Sequence, residues 1–528
     1  MTETMRDIFQ WGFRHADPRR TALVDPAQGL RIDFGDLRQR TIRLAAALSQ
    51  RGLRHGDRVV LMLHNCAQYL EIDIALALAG LVRVPVMFAS TDAEFEHYTR
   101  HSEARAIFYQ KERGERTRAL HAAGKLPVSL LICVDGEDPS PALSYEGMIA
   151  AASDPPRLEP LAGEDLYGIR YTAGTTGAGK GVVHTHAAWG QAITLPIRTV
   201  NIGRYIRPGR ETLLTMHPLS HAAGFDIQRY FVCGATNVVL NGIDPVAVFE
   251  AISREAVTAA FMVPTGINKL ISAPEIDDYD LSPLTTVYYG ASPMPQGVLR
   301  RAIARLGRIF VQFYGSSETP EFSTILHKHE HDMEATGDGR RLASAGRPAL
   351  GVRIKIVGPE GTSLPTGESG EICLKSPATM QRYLKNPELT EQRMVDGWFH
   401  QGDIGCLDED GFLYILDRKE DMIITGGFNV YPAEIESCLS RHPDIQEVCV
   451  FGIPDDRWGE TIKAAVVPAQ GAVLDLDQII AWCMEAMPSY KKPTSIEIVA
   501  EIPLSPAGKP LRRVLRQPYW AGKSRQVS

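Results

Sequence analysis

The sequence has no CxxC pair, no long apolar run, no basic block and no internal repeat, and each absence removes a class of function. Its eight cysteines (Cys66, Cys133, Cys233, Cys373, Cys406, Cys438, Cys449 and Cys483) are scattered without metal-ligand spacing. That predicts reduced, structural thiols rather than a zinc site or a disulfide framework. The most apolar long stretch, Ile74 to Ala89, is broken by Arg83 and Pro85. It is too short to span a bilayer and predicts a buried helix running into a strand. The N-terminus, MTETMRDIFQWGFRH, lacks the basic-then-apolar order of a signal peptide, so a cytoplasmic location is expected. With a net charge of -7 and no cluster of Lys and Arg, nucleic acid is not expected as the main partner.

What is present is an ordinary globular composition, 44% hydrophobic and 23% charged, spread over 528 residues. That length calls for two or more domains. Thr41 to Val86 alternates helix and strand: Arg40 to Gln50 has helical spacing closed by Gly52, and Val59–Leu63 is a short apolar run. This is the rhythm of an α/β domain. Gly136 to Leu161, rich in Asp, Pro, Ser and Ala, predicts a surface connection. Further apolar strands are expected at Thr212–Met216, Asn237–Leu240, Ala259–Val263, Thr286–Tyr289 and Ile309–Phe313. Several end in polar or glycine clusters, where α/β sheets bind ligands. After about Arg341 dense turn signals predict a smaller β subdomain. The charged run Asp417-Arg-Lys-Glu-Asp421 sits between two apolar strands and suits a hinge; the last hundred residues alternate helix and strand again.

One stretch stands apart: Tyr171-Thr-Ala-Gly-Thr-Thr-Gly-Ala-Gly-Lys180-Gly. Glycines let a backbone approach an anion and aim several N–H groups at it; Thr hydroxyls add donors and Lys180 a positive charge. The stretch predicts a loop that holds nucleotide phosphates. Gly174 to Lys180 fits the core of a P-loop, but Gly181 stands where such an enzyme needs Ser or Thr on its Mg²⁺, and no Walker B partner presents itself.

The loop instead resembles the signature of the AMP-forming adenylating enzymes: acyl-CoA synthetases, amino-acid adenylation domains and luciferases. The resemblance continues in order through Pro218-Leu-Ser-His221, Tyr314-Gly-Ser-Ser-Glu318, Gly367-Glu-Ser-Gly-Glu371, Gly397-Trp-Phe-His-Gln-Gly-Asp403, Asp417-Arg418, Gly426-Gly427 and Lys509. It departs at Gly179, where Pro is usual and a looser loop is expected, and at Glu420, where Asp or Lys is usual. It implies a large N-terminal domain of α/β subdomains plus a β-rich subdomain (1–416), a hinge (417–421) and a small mobile α+β domain (422–528).

The resemblance also implies the roles. A carboxylate would attack the α-phosphorus of ATP, and a phosphopantetheine thiol would then expel AMP, with ATP and Mg²⁺ required. Thr172, Gly174, Thr175, Thr176, Gly177 and Lys180 would handle the outer phosphates. Tyr314 would stack on adenine beside Gly290 and Ala291, Ser317 would approach the α-phosphate, and Glu318 would help hold Mg²⁺. Asp403 and Arg418 would bind the ribose hydroxyls, and Lys509 would bridge carboxylate and α-phosphate. Glu420 would be the pivot, and Gly426 and Gly427 would pass the pantetheine arm. Lys509, Lys180 and Glu318 are the expected catalytic groups.

The acyl pocket would draw on His221, Phe225, Asp226, Gly290, Ser292 and Gly315. Asp226 is conspicuous between Phe225 and Ile227, because a lone carboxylate among apolar groups needs a cation. A substrate ammonium would supply one. Conventional amino-acid adenylation domains carry their Asp directly after the position of His221, where this chain has Ala222. The shifted Asp226 resembles stand-alone β-amino acid adenylating enzymes that load a carrier protein. Two alternatives stay open: Asp226 pairs with Arg229 or the surface, or the chain is an acyl- or aryl-CoA ligase for a small or medium acid.

Overall fold

The computed structural model describes residues 3–152, 159–172, 179–199, 202–320, 322–332, 339–469, 471–503 and 510–521. Among these, the strands form four sheets. Two large sheets build the α/β body. The first has a parallel centre running Thr236–Val239, Thr212–Thr215, Ala259–Met262, Thr286–Tyr289, Phe310–Tyr314. The second runs in parallel from Leu130–Cys133 through Ala104–Tyr109, Arg58–Met62 and Val82–Val86 to Leu166–Thr172. These strands are almost wholly buried, as apolar runs covered by helices on both faces should be.

The Ile74–Ala89 run resolves as expected into the end of helix Ala67–Ala79, a left-handed Gly80, and strand Val82–Val86. Helix Phe34–Gln50 is followed by Gly52 at φ +88, the left-handed position that favours glycine. The expected surface connection from Gly136 to Leu161 is a correction. It contains strand Leu143–Ser144 and helix Tyr145–Ala151, and Tyr145 is fully buried with its hydroxyl 2.5 Å from Glu71 Oε2. The long-range partner Glu71, held also by Arg40, overrides the loop-like composition.

A buried polar chain ties helix Ala223–Val232 to strand Val82–Val86 of the second sheet. Trp189 Nε1 donates to Gln228 Oε1 (2.8 Å), Gln228 Nε2 donates to Asp73 Oδ2 (2.9 Å), and Arg83 Nε donates to Asp73 Oδ1 (2.7 Å). Buried hydrogen-bonded chains of this kind fix the arrangement of the elements they join, although Arg83 Nη2 has no hydrogen-bond partner among the described residues.

The β-rich third sheet joins Arg353–Val357, Gly370–Lys375, Trp398–Leu407 and Leu413–Arg418. The fourth, in the last hundred residues, centres on the long pair Ile445–Asp455 and Gly459–Pro468, flanked by helices Pro432–Leu439 and Leu476–Ala486. All eight cysteines are free thiols, and among the described residues no helix is long and apolar enough to cross a membrane.

Candidate active site

The site forms where the sheets meet. Thr172 ends one strand and Lys180 begins the next, and the two pair across an antiparallel register, so the ends of the glycine loop are neighbours. Gly174, Thr175, Thr176 and Gly177 lie outside the described residues, as does Lys509. Gly179 is described, and a Cβ there would sit 2.8 Å from the Tyr98 ring. That close packing against Tyr98 favours glycine at this position.

The strand Lys180–Thr185 then reaches the next motif. His184, four residues on from Lys180, donates from Nε2 to the carbonyl of Ser317 at 2.8 Å. Val182 pairs with Tyr383, whose hydroxyl donates to Glu318 Oε1 at 2.8 Å. Gln401 donates to the hydroxyl of Thr319. One strand thus ties Lys180 to the backbone of Ser317 and the carboxylate of Glu318. His184, Tyr383 and Gln401 were not singled out from sequence. Their partners lie 133, 65 and 82 residues away, and no local pattern marks such pairs.

Asp403 and Arg418 face each other across adjacent strands. Arg418 Nε lies 2.8 Å from Asp403 Oδ1, and the Tyr314 hydroxyl donates to Asp403 Oδ2 at 2.5 Å. Burial, with Asp403 second, holds the Tyr314 phenol far above its ordinary pKa, so it stays a donor. The aromatic shelf, the acceptor and the donor expected around a nucleoside are therefore one bonded unit.

Beside Tyr314 the backbone is crowded. A Cβ on Gly290 would sit 2.4 Å from the carbonyl oxygen of Phe313, so only glycine fits. Ala291 adopts φ +66, a left-handed conformation costly for a residue with a Cβ and common at ligand sites. Glu318, the carboxylate expected at Mg²⁺, is held by the Tyr383 hydroxyl on Oε1. Among the described residues no group of three or more His, Cys, Asp or Glu could hold a metal ion.

The expectation for Asp226 needs correcting on one point. Its carboxylate has a cation inside the protein: Arg229 Nη1 donates to Asp226 Oδ1 at 2.7 Å, with both side chains buried. Arg229 also donates from Nε and Nη2 to the carbonyl of Ala192, and lies over the rings of Phe225 and Phe322. No substrate ammonium is required to balance the charge. Burial pushes the Asp226 carboxyl upward, and Arg229 pulls it back. Oδ2 has no hydrogen-bond partner among the described residues.

Around this pair stand aromatic rings. Phe225 stacks on Trp189 at 4.2 Å, Tyr288 meets Phe322 edge-on at 5.8 Å, and Phe313 lies 5.0 Å from Phe322. His221 begins the turn that enters the helix, its N–H donating to Pro218. Ser292 and Gly315 are half-buried at the strand ends.

Buried histidines here fix an acid limit. Burial lowers His184 to about 3, and His186 and His331 to about 4, from 6.5. The unfolded chain binds their protons first, so stability is full above pH 6.5 and is lost as pH falls toward 4. The raised carboxyl of Asp417, at about 6, acts in the opposite sense and offsets part of this loss. The urea midpoint is expected to fall between pH 6.5 and 4, with each histidine costing on the order of 3 kcal/mol. His184→Gln should flatten the slope; an unchanged slope would contradict the assignment.

Comparison with known proteins agrees with this geometry. Residues 12–384 match the profile of the AMP-binding enzymes, and residues 434–509 that of the AMP-binding enzyme C-terminal domain. A feruloyl-CoA synthase from an Amycolatopsis species is 35% identical over 96% of this chain and 98% of its own. A fatty acid–[acyl-carrier-protein] ligase, ScoC from Streptomyces coeruleorubidus, is 32% identical over 97% and 96% respectively. ATP-bound MatB from Rhodopseudomonas palustris superposes with a TM-score of 0.87 at 28% identity, covering 97% of this chain and 99% of that one. By this match along nearly its whole length, the chain belongs to the AMP-binding enzyme family and is an AMP-forming acid–thiol ligase using ATP and Mg²⁺.

Proposed function

We propose that this enzyme joins a small or medium-sized carboxylic acid, apolar or aromatic, to coenzyme A. The observation that carries the choice is the Asp226–Arg229 pair, which balances the Asp226 carboxylate beside the aromatic rings without help from the substrate. The likeness to a feruloyl-CoA synthase supports the same reading.

Two steps follow. A carboxylate is a poor electrophile, because its charge is delocalised and its leaving group would be hydroxide. An oxygen of the acid attacks the α-phosphorus of ATP and pyrophosphate leaves, giving an acyl-AMP. The thiol of CoA then attacks the acyl carbon, and AMP departs with the bridging oxygen. In our reading Tyr314, Gly290 and Ala291 hold adenine, while Asp403 and Arg418 take the ribose hydroxyls as acceptor and donor. Thr172, Gly174, Thr175, Thr176, Gly177 and Lys180 bind the outer phosphates. Ser317 approaches the α-phosphate, and Lys509 spreads positive charge over carboxylate and phosphate. Bound Mg²⁺, with Glu318, would neutralise phosphate oxygens. Catalysis is then mostly positioning and electrostatics. The small domain pivots at Glu420, so that Lys509 serves the first step and Gly426-Gly427 the second.

A second reading, loading of a β-amino acid onto a carrier protein, is favoured by the unpartnered Oδ2 of Asp226. Pyrophosphate exchange across fatty, aryl, α-amino and β-amino acids, followed by thiolation of CoA or a holo carrier protein, separates the two. The expected result is exchange with uncharged acids, at a rate little changed in Asp226→Asn, and thioester formation on CoA. Exchange confined to β-amino acids and lost in Asp226→Asn would overturn it.

A further inference from the structure

Three carboxylates, two from the charged run 417–421 and one from helix Pro432–Leu439, converge on the guanidinium of Arg512, three residues after Lys509. Arg512 Nη1 lies 2.8 Å from Asp421 Oδ2, and Nη2 lies 2.9 Å and 3.1 Å from the two oxygens of Glu436. Nη1 is also 3.8 Å from Asp417 Oδ1. The Arg512 side chain is only 15% exposed, and Asp417 is buried.

Each partner does a second task. Glu436 Oε1 accepts the N–H of Val450 at 2.7 Å, in the long strand pair of the fourth sheet. Asp417 Oδ2 accepts the N–H of Ala433 at 2.9 Å, in the first turn of helix Pro432–Leu439. Asp421 also receives Arg516, at 3.5 Å. Meanwhile the chain on either side of 504–509 is tied together, since the N–H of Leu511 donates to the carbonyl of Pro503 at 2.7 Å.

Asp421 and Glu436 lie beyond Glu420, on the side of Arg512. Asp417 lies before it, on a strand of the third sheet and next to Arg418. A rotation at Glu420 therefore leaves two of the three partners with Arg512 and carries the third away. A guanidinium is suited to this task, because its planar fork meets several carboxylate oxygens at fixed angles, whereas an ammonium is a point charge.

We propose that Arg512 is a positioning residue that ties the small domain to the hinge at Asp417 and Asp421, and through that tie serves the step assigned to Lys509. This rests on the assignment of Lys509 to acyl-AMP formation. Arg512 acts through the small domain that carries Lys509.

The test measures the two half-reactions apart, in the full chain. Acyl-AMP formation is read by pyrophosphate exchange, and thiolation by single turnover of synthetic acyl-AMP with CoA. Arg512→Gln is expected to lower exchange about 10²-fold, the scale of a misplacement near 1 Å, with thiolation within about 3-fold of the parent. Arg512→Lys should recover part of the exchange. Glu436→Gln, which removes charge without changing shape, should lower exchange alone and decides the matter if Arg512→Gln does not fold. Equal losses in both half-reactions, or none in either, would overturn the proposal. Lys509→Ala runs alongside: if it retains exchange, the assignment of Lys509 fails and this inference with it. Loss of exchange there, with parent-like values in the Arg512 and Glu436 variants, overturns the inference alone.

Discussion

Lys509→Ala is expected to lower acyl-AMP formation by at least about 10²–10³-fold while leaving thiolation of pre-formed acyl-AMP near the parent rate, the scale seen when one preorganised donor is removed from a developing charge. The reason is the order of events. In the first step an anionic oxygen approaches an anionic phosphate, and a positive charge between them is needed before the bond can form. In the second step the electrophile is already a mixed anhydride, and AMP is a stable leaving group. Half-reactions measured separately, by pyrophosphate exchange and by single turnover of synthetic acyl-AMP, read the two effects apart. Equal losses in both would remove the division of labour between Lys509 and the Gly426-Gly427 turn. That turn is well suited to lie beside an acceptor arm: both glycines are exposed with positive φ, and a Cβ on Gly426 would sit 2.9 Å from the Trp458 ring.

Removing the cation from the buried pair should have the largest effect on stability. Arg229→Met leaves Asp226 buried without its partner, so that the carboxyl must hold an unbalanced charge or take up a proton, and breaking a buried pair in this way costs about 3–5 kcal/mol. The double variant Asp226→Asn/Arg229→Met removes both charges together and is expected to recover most of that loss, because a pair replaced as a unit leaves no orphan charge behind. Urea unfolding of the parent, both single variants and the double variant gives the coupling directly. Two single losses that simply add would show that the 2.7 Å contact carries no energy. The pair also matters for specificity. A carboxylate whose charge is balanced by Arg229 is still a hydrogen-bond acceptor through Oδ2, but it no longer demands a charged substrate.

How much could be read from the chain depended on whether partners were near in sequence. The parallel strands ending at Thr215, Tyr289 and Tyr314 were legible, because apolar runs bounded by polar clusters mark them. The run of motifs from Thr172 to Arg418 was legible through its order, and the fold brings Tyr314, Asp403 and Arg418 into bonding distance. Helix Tyr145–Ala151 was not legible, since its anchor is Glu71 on a distant helix and its own composition resembles a loop. His184 looked like one more residue of a buried strand; only the fold aims it at Ser317.

Asp226 was legible as an anomaly, and Arg229 was visible three residues on. The sequence left open whether the two would meet, because i,i+3 neighbours on a helix can pair or diverge with rotamer. Asp421 is the reverse case. Within a charged run it reads as a solvated residue, yet it bonds Arg512 from 91 residues away.

The most direct test of the central claim follows an oxygen atom. The enzyme is supplied with ATP, Mg²⁺, CoA and an accepted acid labelled with ¹⁸O in its carboxylate, and the nucleotide product is weighed. If the carboxylate attacks the α-phosphorus and the thiol then attacks the acyl carbon, each AMP released carries one ¹⁸O from the acid. Unlabelled AMP, or ADP as the nucleotide product, would contradict it.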